Sequence, residues 1–119
     1  MQATSQSNCA SIPRAELIAQ LNDELRKTGS GGQVMITRGV HALTGLDVSN
    51  LLRALADYDD FDATNDPHGE RDFGAFDFRE RELLWKVDYF DTELKFGSDD
   101  PADPNITRRV LTVMLAEEW

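Results

Sequence analysis

The chain reads as a single α+β domain: a small, mostly antiparallel sheet, formed by a hairpin plus one N-terminal strand, packed against about three helices. Three observations carry that expectation. Leu17, Ile18, Leu21 and Leu25 recur at helical spacing, Leu83 to Phe90 alternates apolar with polar residues, and 119 residues supply one hydrophobic core and not two.

Residues 1–10 are polar and aperiodic and read as a flexible tail, leaving 11–119 as the domain. Ser11 is a competent N-cap for the first helix, Pro13 fits its first turn, and Gly29 stops it. The Gly29-Ser30-Gly31-Gly32 turn leads into a strand over Gln33 to Arg38, whose continuous Val34-Met35-Ile36 run suits burial on both faces. A second helix starts near Asp47 or Ser49, carries Val48, Leu51, Leu52 and Leu55 on one side, and fades by Asp57. From Asp57 to Asp72 turn formers dominate, which predicts a long surface loop.

Phe73 to Phe78 alternates weakly and Leu83 to Phe90 clearly, with Leu83, Trp85, Val87 and Tyr89 on one face and Lys86 and Asp88 on the other. The joining Arg79-Glu80-Arg81 has neither Gly nor Asn, so the hairpin is inferred from the closeness of the two runs. Leu94 to Phe96 suggests a short third strand. Asp103 and Pro104 then signal a last helix reaching Glu118. On it Ile106, Val110, Leu111, Val113, Met114 and Leu115 cover more than half the circumference, leaving Arg108, Arg109 and Thr112 in a narrower stripe, the pattern of a central buried helix. Trp85, Tyr89, Phe73, Phe76 and Trp119 read as core aromatics closing the sheet onto the helices.

Composition removes several function classes. With 22 acidic against 12 basic side chains and a net charge of −10, the surface repels polyanions, so direct nucleic-acid binding is not expected. No apolar run approaches a membrane span, and the polar start lacks the pattern of an export signal, which places the protein in the cytoplasm away from membranes. The single cysteine, Cys9, staples nothing within the chain.

The acidic excess is concentrated. Residues 57–103 hold 16 of the 22 acids and 5 of the 12 bases, and the remainder of the chain is nearly neutral. Solubility is the plain reading. The functional reading is a surface imitating nucleic-acid phosphates that occupies the basic groove of a nucleic-acid-binding protein. Acids at alternate positions of an extended run lie about 6.7 Å apart, against about 3.4 Å per phosphate along one DNA strand, so mimicry calls for two acidic segments side by side. The segments are 57–72 and 99–103, and the contact residues are Asp57, Asp59, Asp60, Asp62, Asp66, Asp72, Asp99 and Asp100.

Catalytic and cofactor motifs are scarce. The calcium-loop pattern starting at Asp60 fails where Asn65 replaces Gly and Arg71 replaces Glu. His41 and His68 share no partner at zinc spacing; His41 suits packing or capping, and carboxylates around His68 would favour its charged form. No nucleophile elbow, phosphate loop or dinucleotide fingerprint is present, so no catalytic residue, metal or cofactor is assigned. The enzyme alternative is a metal-assisted hydrolase centred on Asp66, His68, Glu70 and Asp72. Lys86 and Asp88 read as a structural ion pair, with each other or with Arg108 or Arg109.

Four ordered segments, 65–74 (Asn-Asp-Pro-His-Gly-Glu-Arg-Asp-Phe-Gly), 85–90 (Trp-Lys-Val-Asp-Tyr-Phe), 100–104 (Asp-Pro-Ala-Asp-Pro) and 107–112 (Thr-Arg-Arg-Val-Leu-Thr), resemble a family of small proteobacterial proteins of unknown function. The likeness runs from about Leu25 to Trp119. Many members carry His where Arg71 stands here. The resemblance implies cargo of plasmids and conjugative or integrated elements, often near maintenance and antirestriction genes. With the charge map it implies an anti-defence inhibitor, anti-CRISPR or antirestriction, whose partner is a basic nucleic-acid-binding protein of a host defence system; a third class, in the same context, is a scaffold protein in plasmid maintenance.

Overall fold

A computed structural model describes residues 12–45 and 47–119. The expected tail and the Ser11 cap lie outside the described residues. In chain order the elements are α1 (Arg14–Thr28), β1 (Gly32–Ile36), α2 (Arg38–Thr44), α3 (Val48–Asp57), β2 (Phe73–Phe78), β3 (Arg81–Phe90) and β4 (Arg108–Leu115), closed by a single 3₁₀ turn over Ala116–Glu118. The four strands form one sheet in the order β1-β4-β3-β2. Three helices on a four-stranded sheet make an α+β fold, but a mixed one: β2-β3 and β3-β4 are antiparallel, whereas β1 runs parallel to β4.

The last element is the main correction. The segment expected as a central buried helix is the strand β4, lying between β1 and β3. Its apolar residues cover most of a helical wheel because a strand buried on both faces is a nearly continuous apolar run, which periodicity alone cannot separate from a buried helix. The β-branched residues Val110, Thr112 and Val113 favour the extended form. The cap signals serve a turn instead, in which Asp103 accepts from the Asn105 amide at 2.9 Å and from the Ile106 amide through its carbonyl. Leu94–Phe96 is likewise no strand; only a single bridge, Phe90 to Gly97, joins that region to the sheet. Val34-Met35-Ile36 does form a strand, but at the sheet edge with Met35 half exposed, not buried on both faces.

Helix α2 was not anticipated. Thr37 caps it by accepting from the Val40 amide, and Glu118 reaches back from the C-terminal turn to accept from the Thr37 hydroxyl at 2.7 Å and from the Leu115 amide at 2.7 Å. Those donors hold the Glu118 carboxyl below its ordinary range. The hairpin is as expected, and its two-residue turn carries both Arg79 (φ 53°) and Glu80 (φ 65°) in the left-handed region. That geometry ordinarily selects Gly or Asn. Here the Arg79 guanidinium offsets the strain, pairing with Asp47, donating to the Leu43 carbonyl and lying over the Phe78 ring.

The core sits between the helices and one sheet face: Leu25, Val40, Leu51 and Leu55 meet Leu83, Trp85, Val87, Leu111, Val113 and Leu115. Trp85 is its centre, with Tyr58 and Phe61 edge-on at 5.6 and 6.1 Å. Gly74 allows this packing, since a Cβ there would lie 2.5 Å from Tyr58 Cζ. Phe76 packs on the core as expected, but Trp119 is largely exposed, outside the core, with its ring T-shaped to that of Phe73. Lys86 pairs with Asp88 on the opposite sheet face, while Arg109 faces the helices.

Candidate functional site

Helix α1 positions both acidic segments. Its buried stripe is Ile18, Ala19, Asn22, Leu25 and Arg26, so two polar side chains occupy core-facing positions. Arg26 is buried at the end of α3, where its Nη1 donates to the carbonyls of Leu55 (2.9 Å), Ala56 (3.0 Å) and Tyr58 (2.7 Å), and Nη2 pairs with Asp23. A cation at this point also meets the negative end of the α3 dipole. The same guanidinium lies about 5.5 Å from the Phe61 ring centre and 5.6 Å from that of Trp85.

Asn22 is fully buried and joins three elements: its amide donates to the Glu70 carbonyl (3.0 Å) and the Tyr89 hydroxyl (2.9 Å), and its oxygen accepts from Arg109 Nε (2.9 Å). The Tyr89 hydroxyl donates onward to Glu70 Oε1 at 2.9 Å. Arg109 also donates to the Pro101 carbonyl and lies over the Tyr89 ring. Burial raises the Tyr89 phenol above its ordinary range and lowers that of Arg109. Farther out, Arg71 pairs with Asp23 at 2.9 Å and Glu16 at 3.2 Å, and Arg14 pairs with Asp100 at 2.8 Å.

The loop 58–72 is thus strapped along α1, from Arg26 at Tyr58 back to Glu16 at Arg71, and residues 99–103 meet the helix start through Arg14. Asp57 and Asp59 lie beside the Arg26 end of the helix and Asp100 at its Arg14 end, twelve residues apart, about 18 Å of helix axis. The two segments form an elongated flank and not a close double row.

The eight expected contact acids divide accordingly. Asp57, Asp59, Asp60 and Asp99 are exposed, and none of their carboxylates has a hydrogen bond or ion pair among the described residues. Asp62 is exposed but accepts from the amides of Thr64 (2.8 Å) and Asn65 (2.9 Å), shaping the loop. Asp66 is half-buried and holds the Arg71 amide, whose residue has φ 52°. Asp100 is matched by Arg14, which with the Ala102 amide holds its carboxyl below the ordinary range.

Asp72 is half-buried, and burial raises its carboxyl, with Glu70 and Asp66 pushing the same way. The ionised form is therefore less favourable folded than unfolded, a cost present above the ordinary carboxylate range and absent below it. Asp72→Asn should raise the melting temperature at neutral pH, and the gain should vanish as the pH falls below about 4. A gain that is constant across this range would show that the charge is not its source.

The hydrolase constellation is already engaged in part: Asp66 holds a backbone amide and Glu70 the Tyr89 hydroxyl, while His68 is exposed. Among the described residues no group of three or more His, Cys, Asp and Glu side chains is arranged to hold a metal ion. His41 is exposed on α2.

Residues 36–118 match the model of DUF3768, described as a protein of unknown function, which spans α2, α3 and every strand except most of β1. The chain belongs to the DUF3768 family. All of α1, with Asn22 and Arg26, precedes the matched region, so the helix that holds the acidic segments lies outside it. No curated protein and no solved structure matches this DUF3768 chain. Among its described residues, no helix is long and apolar enough to cross a membrane.

Proposed function

We propose that this DUF3768 protein is an acidic binding module whose partner is a basic nucleic-acid-binding protein. The observation that carries the reading is the run Asp57, Asp59 and Asp60: three exposed carboxylates unengaged by the described residues, at the end of α3 and the start of a loop in which Asp62 and Asp66 are committed to holding its shape. Charges left free on a strapped loop meet a cationic groove without rearranging, and charge complementarity of this kind speeds encounter and sets partner choice. Asp99 extends the flank at the far end of α1.

In its more specific form the partner is a nucleic-acid-binding effector of a host defence system, and the protein is a mobile-element inhibitor that occupies the effector's channel. The supports are the acidic excess and the likeness to plasmid-borne proteins. The protein itself, on this reading, touches neither nucleic acid nor membrane and works in the cytoplasm.

The test uses Asp57→Lys, Asp59→Lys and Asp60→Lys together, leaving Asp62 in place because its carboxylate builds the loop. The immobilised wild-type chain should retain, from an extract of a bacterial host, a basic protein that duplex oligonucleotide displaces and salt weakens. The triple variant should keep its melting temperature and bind that protein at least about tenfold more weakly, a change of about 1.4 kcal/mol. Equal retention by the variant, or a partner that nucleic acid does not displace, would refute the reading.

A further inference from the structure

The two sheet edges differ in how they meet solvent. The β2 edge carries Asp77 and ends in the charged Arg79-Glu80 turn, devices that discourage strand addition. The β1 edge reads Gly-Gln-Val-Met-Ile, with neither charge nor proline. The Thr37 amide donates to the Val113 carbonyl at 3.0 Å, so backbone alternation turns the N–H and C=O groups of Val34 and Ile36 away from β4. Among the described residues no strand pairs with this outer edge.

A cleft opens on each face of the same edge. On the helix side Leu25, Lys27, Val34, Leu52 and Leu55 line one of about 280 Å³. On the opposite face Gln33, Leu94, Pro104, Arg108 and Val110 line one of about 390 Å³. Leu52 is 41% exposed and Leu94 50%, so apolar surface faces both openings. Successive side chains of a strand point to opposite faces, so a strand added at β1 would send neighbouring side chains into the two clefts in turn. Lys27 and Arg108 line the clefts and Arg38 follows the strand; all three are exposed with no carboxylate within 4.0 Å among the described residues, in a protein that is acidic overall.

From these features we infer that the β1 edge binds an extended segment of a protein partner, apolar at its centre and acidic at its flanks, as a fifth strand. Backbone hydrogen bonds to Val34 and Ile36 supply affinity, and the paired clefts supply side-chain selection. The rim charges choose the occupant: two copies meeting edge to edge would set Lys27, Arg38 and Arg108 against their own counterparts, whereas carboxylates match them. The acidic flank starts beside this surface, since Lys27 also lines a cleft with Asp57 and Asp59, but its loop leads away into the other edge of the sheet.

The test uses the fluorescein-labelled peptide Glu-Asp-Ile-Leu-Val-Asp-Glu, read by anisotropy and by amide hydrogen exchange. In the free chain the Val34 and Ile36 amides should exchange faster than those of Met35 and Thr37. Saturating peptide should slow Val34 and Ile36 at least about tenfold, and Leu52→Glu or Arg108→Glu should weaken binding by at least about tenfold while keeping the melting temperature. Asp77→Lys, on the opposite sheet edge, should leave it unchanged. Three results would each overturn the inference: no saturation by millimolar peptide with exchange at Val34 and Ile36 unaltered, equal binding by the Leu52→Glu and Arg108→Glu variants, or protection that grows with protein concentration alone, which would assign the edge to a second copy.

Discussion

Arg26→Met should destabilise the chain by about 3–5 kcal/mol, the largest effect expected of any single substitution here and a substantial part of the roughly 5–15 kcal/mol available to a domain of this size. Methionine fills much of the volume but donates nothing, so the carbonyls of Leu55, Ala56 and Tyr58 lose their shared donor at the end of α3. Unsatisfied buried acceptors cost about 1–3 kcal/mol each, less where water can reach them. The contacts over Phe61 and Trp85 go with the charge. Arg26→Lys should recover only part of the loss, because a single ammonium cannot span three carbonyls and Asp23 with a planar fork. Urea denaturation reads both variants directly. A midpoint for Arg26→Met within error of the wild type would mean that water already satisfies the helix end. Because the acidic loop leaves α3 at this point, binding through Asp57, Asp59 and Asp60 should fall with Arg26→Met even at temperatures where the chain stays folded.

Asn22→Ala should cost about 2–4 kcal/mol, since it removes the donor to Glu70 and Tyr89 and the acceptor for Arg109 Nε together. The loss is greater than for an exposed asparagine because Arg109 would be left buried with only the Pro101 carbonyl and the Tyr89 ring. A double-mutant cycle makes the claim sharper. Arg109→Met should cost less in the Asn22→Ala background than alone, by at least about 1 kcal/mol, because its main buried partner has already gone. Strictly additive losses would show that the two side chains act independently despite their 2.9 Å hydrogen bond.

Much of the scaffold was legible along the chain. Helix α1 ends at Gly29, which is left-handed with φ 78°, and β3 shows its buried face as Leu83, Trp85 and Val87. Helix α3 starts after Asp47 and ends at Asp57 as its apolar spacing predicts. What misled was β4, where burial on both faces erased the period of two, and α2, whose seven residues are too few to show a helical period. The hairpin turn was hidden for another reason: Arg79 and Glu80 adopt a backbone usually reserved for Gly and Asn because a remote partner, Asp47, holds the arginine in place.

The acidic flank was legible in the same uneven way. Crowding of carboxylates between 57 and 103 is a property of composition, and no folding is needed to see it. Which carboxylates stay free is not. Asn22 and Arg26 left a faint signal as polar residues on the apolar stripe of α1, but their partners other than Asp23 lie 29 or more residues away along the chain.

The amino-acid order alone determined the net charge, its concentration in one stretch, and the elements whose apolar spacing is unambiguous, because these depend on composition and on neighbours within a few residues. Tertiary structure alone decided that residues 108–115 are a central strand, that the acidic loop runs along α1 between Arg26 and Glu16, and that Asp100 is matched by Arg14 while Asp57, Asp59 and Asp60 remain unengaged by the described residues. Those outcomes follow from hydrogen bonds and burial between residues distant in sequence, where the cost of leaving a buried polar group without a partner outweighs any local preference.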